Sequence, residues 1–217
     1  MNVMELVKEI KAVANPDDAV VMKAYMKNKF EFIGVKTPAR RKFAKTFFKQ
    51  QTDSVIDWDF INAAWNNPYR ELQYAALDYL EIRKKLLTPS DLPRLKKLTQ
   101  TKSWWDTIDF LDRLVGSIIA RFPETKEIIL SWSCDKDIWL RRLAIDHQLL
   151  RKEKTDTELL DKILVNNLGQ TEFFINKAIG WALRDYSKTN PDWVRDFIER
   201  HQAEMAALSI REGSKYL

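Results

Sequence analysis

Cysteine is nearly absent from this chain: of 217 residues only Cys134 carries a thiol, so no internal disulfide is available. Histidine is almost as rare. His147 and His201 stand too far apart for zinc-ligand spacing, which argues against metal catalysis; His147 has no nucleophile nearby, and Cys134 has no His or Asn placed to activate it. Five glycines form neither GxGxxG nor GxxxxGK[ST], so the loops whose backbone amides cradle a nucleotide's phosphates are missing and no cofactor is expected. No apolar run approaches the ~18 residues that cross a bilayer. The opening stretch carries Glu5 and Glu9 where a signal peptide is continuously apolar. A cytoplasmic protein with no membrane partner is the expectation.

What is present is helical grammar. At 45% hydrophobic and 31% charged, the chain is rich enough to bury a sizeable core. Apolar residues recur three and four apart, and Asn15-Pro16, Thr37-Pro38, Asn67-Pro68, Thr88-Pro89 and Asn190-Pro191 each read as a cap followed by the proline of a first turn. About a dozen helices of roughly 10–18 residues follow. Glu71–Leu80, Trp105–Leu114, Trp139–Gln148 and Phe173–Ala182 align at a constant step of 34 residues. Leu77, Leu111, Ile145 and Ile179 coincide, followed by Asp78, Asp112, Asp146 and, breaking the acidic series, Gly180. That period suits two helices and two turns per unit, predicting a single all-α domain over 1–217: a superhelical stack of HEAT-like hairpins with a concave basic groove.

The charge is segregated. Residues 27–49 hold eight basic side chains against Glu31 alone, and 83–102 hold seven against Asp91 alone, within a net charge of +5. A polyanion partner follows, because Lys and Arg neutralise phosphates and release counterions. Solvated helix faces that happen to be basic are the alternative.

Within the 34-residue frame, at ~100° per residue, Arg142, Asp109 and Trp181 fall on the arc opposite the apolar face. Trp105 stands one turn before Asp109. An indole beside a carboxylate suits a cation. Arg142 can pair with Asp109, orient it, or clamp a phosphate, whereas Arg141 points to the core side. Trp139 and the repeat-periodic Phe173 read as structural, Asp106 as a first-turn acid that stabilises the helix dipole, and His147 as a partly buried hydrogen-bonding residue. If the groove's rims bind phosphates, the cation is an alkylated base or the oxocarbenium sugar formed as an N-glycosidic bond breaks.

Five strings in order carry a family resemblance: Tyr25-Met-Lys-Asn-Lys-Phe30, Gly34-Val-Lys-Thr-Pro-Ala-Arg-Arg41, Thr101-Lys-Ser-Trp-Trp-Asp-Thr-Ile-Asp109, Asp137-Ile-Trp-Leu-Arg-Arg142, and Phe173-Phe-Ile-Asn-Lys-Ala-Ile-Gly-Trp-Ala-Leu-Arg184 with Lys188-Thr-Asn-Pro191. The chain resembles the AlkD-like DNA alkylation repair glycosylases, built from HEAT-like repeats. The resemblance implies cofactor-free excision of N3- and N7-alkylated purines, such as 3-methyladenine and 7-methylguanine, from duplex DNA without flipping the lesion into a pocket. It makes Trp105 and Trp181 the rings against sugar and lesion, Asp109 the carboxylate that stabilises the oxocarbenium ion, and Arg142 the arginine of the catalytic site. Tyr25, Lys36, Thr37, Arg41 and Lys102 become DNA-binding residues. Lys36 departs from the family, whose archetype has a neutral glutamine there. The rival reading is a non-catalytic helical-repeat module gripping nucleic acid or an acidic protein; a groove that admits a duplex suits a monomer in either case.

Overall fold

Side-chain caps start the helices. Asn2, Asn15, Asp57, Asp137, Asp156, Glu172 and Asn190 each turn an oxygen back onto an N–H of the first turn, satisfying donors that the helix leaves without a carbonyl. In the computed structural model, residues 2–49 and 55–217 are described; Met1 and the side chain of Lys49, in the first basic run, lie outside that set. Among the described residues there are thirteen α-helices and no strand, only an isolated parallel bridge between Glu31 and Tyr69.

The chain forms two compact units, Met1–Leu87 and Thr88–Leu217. The first contains α1 (Val3–Lys11), α2 (Pro16–Tyr25), α3 (Thr37–Lys49), α4 (Trp58–Asn66) and α5 (Arg70–Arg83). The second contains α6 (Leu92–Thr99), α7 (Trp105–Arg121), α8 (Lys126–Trp132), α9 (Ile138–Asp146), α10 (Thr157–Val165), α11 (Phe173–Ser187), α12 (Pro191–His201) and α13 (Ala207–Gly213). The 34-residue frame lands on the first or second residue of α5, α7, α9 and α11. Helix lengths run from 7 to 17 residues, shorter at the low end than the periodicity predicts.

Two of the proline signals mark something other than an α-helix start. Asn67 closes α4 and accepts the Tyr69 N–H at 3.1 Å, so α5 begins only at Arg70. Thr88-Pro89 opens a 3-10 turn through a capping box with Asp91, and α6 follows it.

In the first unit, the loop before α3 is tied down by one buried side chain. Glu71, at the start of α5, accepts the N–H groups of Ile33, Gly34 and Val35 at 2.9–3.2 Å. Gly34 has φ +95, and a Cβ there would meet the Asn15 carbonyl oxygen at 2.0 Å, so no larger residue fits. On α3, Arg40 and Arg41 donate to Asp78 of α5 at 3.1 and 3.4 Å.

In the second unit α7 packs on α9 and α9 on α11, side by side. Their inward residues, including Ile108, Leu111, Leu114, Leu143, Ile175 and Ile179, are fully buried, each contributing about 1.5–3 kcal/mol. The N-terminal ends are pinned by three rings, Trp104, Trp139 and Phe174, with centroids 4.9–5.6 Å apart. Phe174 takes the packing place expected of Phe173, which is 56% exposed. Further along, Gly116 lets the backbones close: a Cβ would lie 2.1 Å from the His147 carbonyl oxygen. Because the obstacle is backbone, Gly116→Ala is expected to destabilise by at least about 1–3 kcal/mol, read as a lower midpoint in urea unfolding. An unchanged midpoint would mean α7 and α9 are not this close.

Candidate functional site

Three of the four expected core-site residues meet on three laterally stacked helices of the second unit. Asp109 projects from α7, Arg142 from α9 and Trp181 from α11. The Nε of Arg142 donates to Oδ1 of Asp109 at 2.7 Å and its Nη2 to Oδ2 at 2.9 Å, a bidentate, charge-assisted pair. Its Nη1 donates to the Phe174 carbonyl at 2.8 Å, and its Cζ lies 5.3 Å from the centre of the Trp181 ring. Trp105 is the first residue of α7, half-buried, one turn before Asp109.

This geometry corrects the helix-wheel reading of Arg142. Placed there on an exposed arc, it is in fact 1% exposed, while Arg141, assigned to the core side, is half-buried and donates to Asn167 at 2.8 Å. The reason is lateral stacking: α9 has α7 on one flank and α11 on the other, so positions polar on an isolated wheel become interior. With its fork committed to Asp109 and Phe174, Arg142 has no open edge for a phosphate.

Asp109 keeps about a fifth of its side chain exposed. Burial raises its pKa, more than the hydrogen bonds and charge of Arg142 lower it, and Asp106 adds to the rise. Burial works against the charge of Arg142, but Asp146, Asp109 and Asp112 around it raise its pKa. An oriented carboxylate with a free face results, and each oxygen keeps a lone pair beyond its bond to Arg142.

The indole of Trp181 is half-buried and ringed by the protein's own cations: Arg142, Arg184 at 5.8 Å and Lys177 at 5.9 Å. Glu212 of α13 holds the last two, at 2.8 Å each. Beside the ring opens a cleft of about 190 Å³ lined by Arg113, Leu149, Leu150, Trp181, Arg184, Asp185 and Lys188. Its wall is shaped by the Leu150 N–H donating to Asp185 at 2.7 Å. The sequence reading gave no role to Arg113, Arg184 or Lys188. Helical spacing would have found them, since Arg113 is one turn after Asp109, Arg184 three residues after Trp181, and Lys188 four further on.

Lys102 precedes α7 with φ 50, half-buried. The other expected DNA-binding residues belong to the first unit and lie at its surface. Tyr25 is 67% exposed; Lys36 pairs with Asp18 at 2.9 Å; Thr37 begins α3; and the exposed Arg41 is steadied by Asp78. His147 is more buried than expected, its Nδ1–H donating to the Ala144 carbonyl, and burial pushes its pKa down to about 3. Among the described residues no three His, Cys, Asp or Glu side chains are grouped to hold a metal ion, and no helix is long and apolar enough to cross a membrane.

A family model described as "DNA alkylation repair enzyme" matches residues 6–217. A solved structure described as a predicted DNA alkylation repair enzyme from Enterococcus faecalis is 35% identical over 94% of this chain and 96% of its own, with a TM-score of 0.86. AlkD2 from Streptococcus mutans shares the fold at 16% identity, over 92% of this chain and 99% of its own, with a TM-score of 0.63. The protein smu.31 from Streptococcus mutans UA159, also 16% identical, does so over 82% and 91%, with a TM-score of 0.62. Among curated proteins none is detectably similar. With a matching family model over nearly its whole length and a relative this similar, the chain belongs to the DNA alkylation repair enzyme family.

Proposed function

We propose that this protein is a DNA glycosylase that hydrolyses the N-glycosidic bond of cationic N3- and N7-alkylated purines in duplex DNA. It acts as a monomer, without metal or cofactor, and without flipping the lesion into a pocket. The observation that carries this reading is the Asp109–Arg142–Trp181 cluster: a carboxylate fixed in orientation, partly open to solvent, next to an aromatic ring and a basic cleft. An alkylated purine already bears the positive charge that makes it a good leaving group. As the bond breaks, its electron pair leaves with the base nitrogen, neutralising the base and leaving a cationic sugar at C1′. Asp109 stabilises that cation and orients the water that adds to it, taking up the water's proton; Trp105 and Trp181 present ring faces to the sugar and lesion. Arg142 positions Asp109. Arg113, Arg184 and Lys188 supply positive charge for phosphates flanking the lesion, with Lys36, Thr37, Arg41, Lys102 and Tyr25 contributing to DNA binding.

Chromatography of bases released from methylated duplex DNA tests the reading: 7-methylguanine and 3-methyladenine are expected in the soluble fraction. Salt-dependent DNA binding with no base released would replace the enzyme by a binding module. For the phosphate contacts, Lys188→Ala and Arg41→Ala are each expected to reduce the slope of log K against log[salt] by about 1. Slopes identical to that of the unaltered protein would remove both residues from the interface.

A further inference from the structure

Behind the Asp109–Arg142 pair lie two carboxyl groups that the proposed chemistry does not use. Asp112 on α7 and Asp146 on α9 are 1% and 2% exposed, and none of their four side-chain oxygens has a hydrogen-bond partner. Oδ2 of Asp146 stands 3.7 Å from Nη2 of Arg142, within ion-pair range but too far for a hydrogen bond. The same Nη2 donates to Asp109. One nitrogen thus faces two carboxyls from different helices, and holds one of them.

A buried carboxylate without hydrogen bonds is costly, so such a group stays protonated until a cation compensates it. Burial pushes Asp146 up to about 8, with Arg142 opposing and the charges of Asp109 and Asp185 adding to the rise. Burial, then Asp146 and Asp109, push Asp112 well above the usual carboxylate range. The charged groups acting on Asp146 therefore come from its own helix (Arg142), from α7 (Asp109) and from α11 (Asp185), while Asp112 of α7 is a titratable neighbour that burial and then the charge of Asp146 hold protonated. Next in sequence, His147 is neutral and supplies no cation. Arg142 is the group Asp146 turns to when it ionises.

We propose that Asp146 is a positioning residue for Asp109, acting through Arg142: while neutral it leaves the guanidinium committed to Asp109, and once ionised it draws Nη2 toward itself and loosens that grip. This rests on Asp109 being the reacting carboxylate. Loosening removes the orientation of Asp109 rather than its charge, so it slows the chemical step more than it weakens DNA binding.

Two measurements decide it. The first is the pH profile of single-turnover 7-methylguanine release. The unaltered protein should show an alkaline limb, with a rate about tenfold lower one pH unit above its midpoint. Asp146→Asn, which stays neutral, should lose that limb, while Asp112→Asn, which has no ion pair with Arg142, should keep it. A limb that persists in Asp146→Asn, or disappears in Asp112→Asn instead, overturns the assignment. The second is the NMR resonance of the Arg142 Nε–H, whose proton is shared with Asp109, followed through the same pH range in the unaltered protein. It should titrate with an alkaline midpoint, and a resonance that does not move overturns the proposal even if Asp146→Asn fails to fold. Should no base be released at any pH, the glycosylase reading falls, and the Nε–H titration still decides whether Asp146 competes for Arg142.

Discussion

Asp109→Asn is expected to slow 7-methylguanine release by on the order of 100-fold while leaving affinity for duplex DNA nearly unchanged. The substitution keeps the size of the side chain and removes its charge, the quantity that matters as positive charge develops on the sugar. Arg142 meanwhile loses one of the two acceptors of its bidentate pair and faces an NH2 donor in its place, so part of the loss comes from a poorly oriented amide. Phosphate contacts elsewhere are untouched, which is why binding should persist. Undiminished release by Asp109→Asn would remove the carboxylate from the mechanism. The same residue sets an acid limit. Burial raises its pKa, so in the unaltered protein activity should begin to fall, as pH is lowered, at a higher pH than an ordinary aspartate would impose. The sign follows from the ionised form being the working one. Release that stays constant down to the usual carboxylate range would show that the reaction does not need Asp109 ionised.

Glu71→Ala is expected to lower stability by about 3–5 kcal/mol. One fully buried carboxylate satisfies three successive backbone N–H groups in the loop before α3, and its loss leaves all three in a dry interior. Unpaired buried donors each cost about 1–3 kcal/mol, partly recovered where the loop lifts to reach water. Thermal unfolding should show a fall in Tm on the order of 10 °C. An unaltered Tm would mean that the loop's amides find other partners. Because that loop leads directly into Lys36, Thr37 and Arg41, the variant should also bind DNA more weakly, with unfolding measured in parallel to separate the two effects.

Glu71 shows where sequence reading stops. Its position at the head of a repeat helix was legible from the 34-residue step, but the residues it binds lie 36 to 38 positions earlier, and no periodicity relates them. The same holds for the acidic column Asp78, Asp112 and Asp146. Its regular spacing is plain in the chain, yet spacing does not tell whether an acid is solvated or buried. All three are buried, and their fates differ: Asp78 takes two arginines, Asp146 stands off from one, and Asp112 has no hydrogen bond. Gly180, which breaks the column, is backed by the side chain of Glu212, so the fourth acid arrives from a different helix.

The helical class, the repeat step and the shared placement of Asp109, Arg142 and Trp181 were determined by the order of residues alone, because caps, apolar spacing and repeat offsets act over one or two turns and recur with each unit. Tertiary structure alone decided which polar groups are interior and which cations surround the indole. Those outcomes depend on flanking helices that cover two sides of α9 at once, and the cost of removing a charge from water is set by what stands across the interface rather than by neighbours along the chain.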